Sequence, residues 1–430
     1  MTEPALRARA QASYDRLVPE HIRSIQELVR IPSTRGRERQ AQEWIAAHMR
    51  GLGLCVELID CDPQKLAKYP TWSPTQWQYE GRPNVAGVWR GMGGGRSLIL
   101  NAHCDTTSAE PIELWTHDPF GGEIVGDRLF GRGAADDKAG CCELLFIVRA
   151  LREARLRLNG DLILETCVEE ECSGNGALAL ADAGYAADGV LVLDGGGPGR
   201  AMVAHPGHIA FRVTIYGKPA AYVMAHEGVN AVDKAWVVIA ALRELESRKN
   251  RNLSSPWAEL GSPLHANVCG IRGGEWVGSV AGKCVLEATI GFLPPQSLAD
   301  ARAELVATIE RAAASDPWLA AHPPEVTFTD LAIPPLDAGT DNPVVLELAR
   351  AHETIVGTPL STVAITGFTD LHQQSACVPT PGCLFSPGDG EAAHAVDEYF
   401  DLRAMVPSTK VALEFVMSWC GVEEEMQRAL

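Results

Sequence analysis

The chain has 430 residues, 46% hydrophobic and 21% charged, a globular mix that excludes a disordered or fibrous protein and is too long for one ordinary core. Its 37 Lys and Arg against 55 Asp and Glu leave a formal net charge of −18, which argues against a nucleic-acid or acidic-membrane partner. No apolar run reaches the length of a membrane span, and the opening MTEPALRARAQ lacks the apolar core of a secretion signal, so the expected compartment is the cytoplasm.

Residues 13 to 52 read as two helices separated by IPSTRGRE, with Ser33 or Thr34 as candidate cap of the second. A loop rich in Pro and aromatics follows, holding Trp72, Trp77 and Tyr79. Strands then alternate with helices: VAGVW and SLILNA are strands, AGCCELLFIVRALREA is a helix, GDLILETCV a strand, NGALALADAG a helix and GVLVLDGGG a strand. Short continuous apolar strands between helices predict a mainly parallel sheet covered on both faces. Near residue 205 the pattern changes. HIAFRVTIYG, HANVCGIRGG and KCVLEATIGFLP alternate with period two, and helices over about 229–247 and 298–314 accompany them before EVTFTDL. Buried strands and helices resume after about 332. The expected organisation is an α/β catalytic domain in two parts, 1–204 and 331–430, with an inserted α+β domain at 205–330. The 12 cysteines show no Cys-x-x-Cys and read as small buried hydrophobes, with Cys141 and Cys142 packing a helix.

Several α/β strands end in acids or a histidine. LILNAHCD ends in His103 and Asp105, LILETCVEEE in Glu169, Glu170 and Glu171, and VLVLD in Asp194. GRGAADDKAG sets Asp136 and Asp137 before a helix, and His394 sits in PGDGEAAHAVDEY. Ligands of parallel sheets bind beyond the carboxyl ends of strands, so these side chains can converge. Imidazole with carboxylate suits zinc, or manganese or cobalt, and suits two ions, with Asp136 placed to bridge. In an extended chain residues i and i+2 point the same way, so His103 can ligate while Asp105 steadies its ring. Neighbours in the Glu triplet diverge, so Glu171 can ligate while Glu170 acts as general base.

These stretches together resemble the dinuclear zinc hydrolase family that includes acetylornithine deacetylase, succinyl-diaminopimelate desuccinylase, aminoacylase and glutamate carboxypeptidase. The matching stretches are NAHCDT, GRGAADDKAG, EEECSGNG, LDGGG, EGVNAVD and GDGEAAHAVDEY. By position the resemblance implies His103, Asp136 and Asp194 on one ion, and Asp136, Glu171 and His394 on the other. It implies Glu170 as base, Asp105 as the clamp on His103, and a cis peptide between Asp136 and Asp137. It also implies an inserted lid domain that forms a homodimer. Three positions depart from the family. Ala221 stands where members carry a lid His that polarises the scissile carbonyl, leaving Tyr222 or His226 as candidate substitutes. Gly291 and His372 stand where many members carry an Arg that holds a substrate carboxylate. Asn267 matches a lid Asn that helps bind substrate.

The expected activity is hydrolysis of a C–N bond in a small molecule, an amide cut in the manner of a deacylase, deformylase or dipeptidase. Hydrolytic displacement of an amine from an aromatic ring is the alternative within hydrolases. A catalytically inactive binding homologue is the alternative outside them, and the complete set of ligands with Glu170 argues against it.

Overall fold

The computed structural model describes residues 2–75, 77–197, 199–388 and 392–425. Its main sheet runs in the order Cys55–Ile59, Asn84–Trp89, Leu162–Cys167, Leu98–His103, Val190–Val192, Gly382–Leu384, Arg200–His205 and Leu336–Asp337, and Ser361–Ala364 also pairs with Arg200–His205. The four central strands, Leu162–Cys167 to Gly382–Leu384, are mutually parallel. Toward both margins the pairing becomes antiparallel, including the Cys55–Ile59 and Asn84–Trp89 pair, except that Ser361–Ala364 runs parallel to Arg200–His205. A parallel neighbour needs a crossover packed on a face, whereas an antiparallel one needs only a return loop. The aromatic segment 60–83 is such a loop.

Alternation along Leu98–His103 sends Leu98, Leu100 and Ala102 to one face and Ile99, Asn101 and His103 to the other. The first face packs against the helices Glu3–Val29, Ala139–Glu153 and Leu402–Cys420 in the largest apolar cluster. On the second face Ile99, Ile163, Val190 and Val192 meet Leu371 of the helix Leu371–Cys377, which in turn packs beside Asn175–Asp182. The helix that follows the first one starts at Arg39 and has no side-chain cap. Neither expected capping residue serves there, because the Ser33 hydroxyl donates instead to the Cys104 carbonyl at 2.6 Å. That bond ties the interhelical turn to the end of the His103 strand.

A second, antiparallel sheet has the order Ala266–Gly273, Lys283–Phe292, Gly207–Tyr216, Glu325–Ile333. One face buries Ile209, Phe211, Val213 and Ile215 against the helices Ala231–Lys249 and Leu298–Ala314, in a cluster separate from the main core. Asn230 caps the first of these helices through Val232 N–H, and Ser297 with Asp300 forms a reciprocal capping box on the second. The chain enters this layer at His205–Gly207 and leaves after Ile333.

Candidate metal centre

The centre is built where the central strands end. His103 is the last residue of its strand and is 1% exposed. Its Nδ1 lies 3.0 Å from the Asp105 main-chain oxygen and 3.6 Å from the Asp105 carboxylate, so the main-chain contact is the hydrogen bond. The Asp105 carboxylate instead accepts the main-chain N–H groups of Glu170 and Glu171, at 3.2 and 3.3 Å. One residue therefore sets both the imidazole and the glutamate turn.

That turn has a second support. Glu169 sits in the left-handed region, at φ 73°, and is fully buried. Its carboxylate accepts from Trp77 Nε1 at 2.8 Å, Tyr79 Oη at 3.0 Å and Ser173 Oγ at 2.8 Å, and pairs with Arg82. The aromatic loop is thus clamped to the residue that precedes Glu170.

Asp136 lies between the two imidazoles. Its Oδ1 is 2.9 Å from His103 Nε2 and its Oδ2 is 3.1 Å from His394 Nε2. Glu171 Oε2 is 2.8 Å from the same His394 nitrogen, and Glu170 Oε2 is 3.9 Å from His103 Nε2. The Asp136–Asp137 peptide is cis. Asp194 leaves the strand Val190–Val192 into Gly195, Gly196 and Gly197, whose φ values of 58°, 93° and 71° only glycine adopts at no steric cost. His394, at φ 62°, is set by the buried Arg132–Glu398 pair: Arg132 donates to the His394 carbonyl, and Glu398 accepts from Ala135 and Asp136 N–H.

Two groups of ligand atoms cluster tightly enough for an ion: His103, Asp137 and Asp194, and Asp136, Glu171 and His394. The first contains Asp137 where the resemblance implies Asp136. Asp137 is already engaged, accepting from His103 N–H at 3.2 Å and Gly140 N–H at 3.1 Å. Asp136 reaches both imidazoles and, among the described residues, its carboxylate accepts no main-chain N–H.

Electrostatics support cations here. Five carboxylates (Asp136, Asp137, Glu170, Glu171, Asp194) lie at this point with two imidazoles, and burial, the imidazoles and neighbouring carboxylates dominate their pKa shifts. Burial pushes Asp194 up to about 6 and Glu171 up to about 7, with Asp136 adding repulsion to each. Glu170 and Asp137 are raised well above the carboxylate range, chiefly by burial. For Asp136 burial acts upward, but hydrogen bonds from His103 and His394 outweigh it and hold the carboxyl low. His394 is raised to about 10 by Asp136 and Glu171. A set of carboxylate and imidazole donors without thiolate fits zinc or another first-row divalent ion.

The other singled-out residues lie apart. Tyr222 is 66% exposed on a 3₁₀ segment at the end of the second sheet, His226 is exposed beside it, and Asn267 faces outward on the edge strand Ala266–Gly273. Among the described residues, no hydrogen bond or ion pair joins them to the centre. His372 is buried, with Cε1 against Gly174 just beyond the glutamate turn. Sequence reasoning missed Glu398 and Asp370, and named Glu169 only as a strand-end acid without its supporting role. Glu398 and Asp370 sit in VDEY and FTDL, where an acid looks like ordinary loop polarity.

An α/β sheet whose strand ends deliver paired carboxylate–imidazole clusters is the frame of a metal-dependent hydrolase. The chain belongs to peptidase family M20/M25/M40, whose pattern matches residues 99–418. It is 29% identical over 406 residues to N-formyl-4-amino-5-aminomethyl-2-methylpyrimidine deformylase of Bacillus subtilis (strain 168), covering 89% of this chain and 90% of that one. It is 26% identical over 379 residues to acetylornithine deacetylase of Photorhabdus laumondii, covering 87% and 89%. The fold superposes on the dipeptidase Dug1p of Saccharomyces cerevisiae with a TM-score of 0.76 at 14% identity, over 98% and 99% of the two chains. The protein is a metal-dependent hydrolase of amide-type C–N bonds.

Proposed function

We propose that the protein removes a formyl or other short acyl group from the nitrogen of a small, nitrogen-rich molecule, using two divalent ions and Glu170. The carrying observation is the Asp136 carboxylate, one oxygen on His103 and the other on His394. In this reading His103, Asp136 and Asp194 hold one ion, and Asp136, Glu171 and His394 hold the other. The donor set favours zinc, with manganese or cobalt as substitutes. Bound ions supply Lewis acidity and acidify water at neutral pH. Glu170, beside His103 but tied to no cation, takes the proton from the attacking water and returns it to the leaving nitrogen. Asp105 keeps His103 and the Glu170 main chain in register.

The substrate class rests on two supports. The deformylase relative covers nearly the whole chain, and Gly291 and His372 leave the chain without the two arginines that hold a carboxylate in many members. The residues 205–330 serve as a lid closing over the centre. Tyr222, His226 and Asn267 reach substrate only on closure or from a partner subunit. Homodimerisation through this layer is supported by the exposed edge strand Ala266–Gly273, where Ile271 is 48% exposed, and by Trp236, 62% exposed on the adjoining helix. Twelve unpaired cysteines support a cytoplasmic location.

The test is metal-reconstituted protein assayed on N-formyl, N-acetyl, N-succinyl, dipeptide and aminoaromatic compounds. Release of formate or acetate from amides of amine-bearing compounds is expected. Ammonia release from an aminoaromatic without acid release from any amide would move the assignment to ring deamination.

A further inference from the structure

Beside the candidate metal centre lies a group of buried side chains, each with a polar atom that meets no hydrogen-bond partner among the described residues. His205 ends the strand Arg200–His205, and His372 stands in the first turn of Leu371–Cys377. Their rings meet edge to face with centroids 5.7 Å apart. His205 Nδ1 is 2.9 Å from the Pro206 carbonyl, and His372 Nδ1 is 2.5 Å from the Thr369 carbonyl. A carbonyl only accepts, so each Nδ1 carries the proton and each Nε2 is left as a bare acceptor. Neither Nε2 has a partner, and both are sealed from solvent. Burial pushes the two rings down to about 3 and about 4, which keeps them neutral.

Thr369 Oγ1 and both oxygens of Asp370 are also buried, with no partner beyond the weak Cys167 thiol beside Asp370. His372 rests against Gly174, where a Cβ would lie 3.3 Å from its Cε1. Gly174 N–H in turn bonds the Glu169 carbonyl at 2.8 Å, which places this group directly behind the glutamate turn. Buried polar atoms are nearly always satisfied, so the two bare Nε2 acceptors, which neither Thr369 nor Asp370 meets, call for a donor from outside the chain. The group does not form a tight ion-sized cluster like the two at the centre. Its members also present no basic side chain that would hold an anion.

We propose that His205, His372, Thr369 and Asp370 form the wall that recognises the substrate's non-reacting part, and that this wall selects N–H donors: an amine, an amidine or an amino-substituted heteroaromatic ring. At the two imidazoles a carboxylate is disfavoured, because its lone pairs would face the bare Nε2 atoms. The proposal rests on the amide-hydrolase reading only for its place beside the reacting group. The wall is closed in this conformation. It borders His205–Gly207, where the chain passes into the second sheet, so parting of the two layers there admits the ligand.

The experiment uses metal-loaded protein and ligands that have no scissile bond, with binding read by calorimetry. The probes are 4-aminopyrimidine, its 4-dimethylamino analogue, which has no N–H, and pyrimidine-4-carboxylate. The amino compound is expected to bind about tenfold tighter than the dimethylamino one, with the carboxylate weakest. His372→Leu and His205→Leu should erase that preference. His372→Gln, whose Oε1 can stand in for Nε2, should retain it within about threefold. Equal binding of the three probes, tighter binding of the carboxylate, or equal loss in the Gln and Leu variants would overturn the proposal. The hydrolase reading is separable: binding preference without cleavage of any amide would sink that reading and leave the wall standing. Cleavage of amides with no preference for amine-bearing ones would do the reverse.

Discussion

Replacing Glu169 by Ala tests whether the glutamate turn is held from behind by the aromatic loop. The carboxylate is fully buried and takes four donors: the Trp77 indole, the Tyr79 and Ser173 hydroxyls and the Arg82 guanidinium. Breaking a buried ion pair by removing one partner costs about 3–5 kcal/mol. Arg82 is spared part of that, since Glu38 still receives its Nε at 3.0 Å. Each neutral donor left unpaired in the interior adds about 1 kcal/mol or more. A net loss of ~3–5 kcal/mol follows, and the Gln variant, which still accepts from Trp77 and Tyr79, should lose about half as much. Urea unfolding followed by tryptophan fluorescence and by circular dichroism gives the values, provided the two probes coincide. Metal affinity should fall much less than stability, because Asp105 independently holds the N–H groups of Glu170 and Glu171. A stability loss under 1 kcal/mol, or loss of metal with stability intact, would show that the turn does not depend on this clamp.

Glu170→Gln should retain both ions by elemental analysis yet lose about 10²–10⁴-fold in turnover, the range of a general base; near-normal turnover in a metal-replete variant would remove the role. Glu143, on the helix Ala139–Glu153, is 1% exposed and is pushed by burial up to about 8, against an ordinary 4.5. Between those values the folded chain holds a proton that the unfolded chain has lost, so this residue's contribution to stability falls as pH rises from about 4.5 to about 8. The Glu143→Gln advantage over the parent should accordingly grow by ~2–4 kcal/mol from pH 4.5 to pH 8.5, measured by urea unfolding; a pH-independent difference would refute the assignment. For the proposed dimer, Ile271→Lys on the edge strand should give monomer in sedimentation; a parent that is itself monomeric, or a dimer that persists in the variant, would refute an interface there.

The parts of the site that were legible in the sequence are those that break a pattern. A strand core ending in His103, or in Asp194 before three glycines, is anomalous on its face, and the parallel centre of the sheet follows from continuous apolar strands. The supports were illegible because they obey ordinary patterns. Glu398 has its meaning only through Arg132, 266 positions away, and Asp370 only through the covering of its oxygens. Ser33 matched a helix-start signal and was drawn elsewhere by a carbonyl distant in sequence, a contact that local rules cannot foresee. The antiparallel margins were hidden because a return loop and a crossover loop share the same composition.

The Arg132–Glu398 pair has a consequence for biosynthesis. Glu398 fixes the main chain at Ala135 and Asp136 while its partner Arg132 fixes the carbonyl of His394. Both sides of the proposed shared ligand therefore depend on a residue 262 positions further on. A ribosome that has released the first three hundred residues has exposed His103, Asp136, Glu171 and Asp194, but not the brace that aims Asp136 or the imidazole that completes its cluster. In the proposed site, ion capture thus follows synthesis of that brace, and a nascent chain that stalls before it presents acids to the solvent without the geometry to trap a metal.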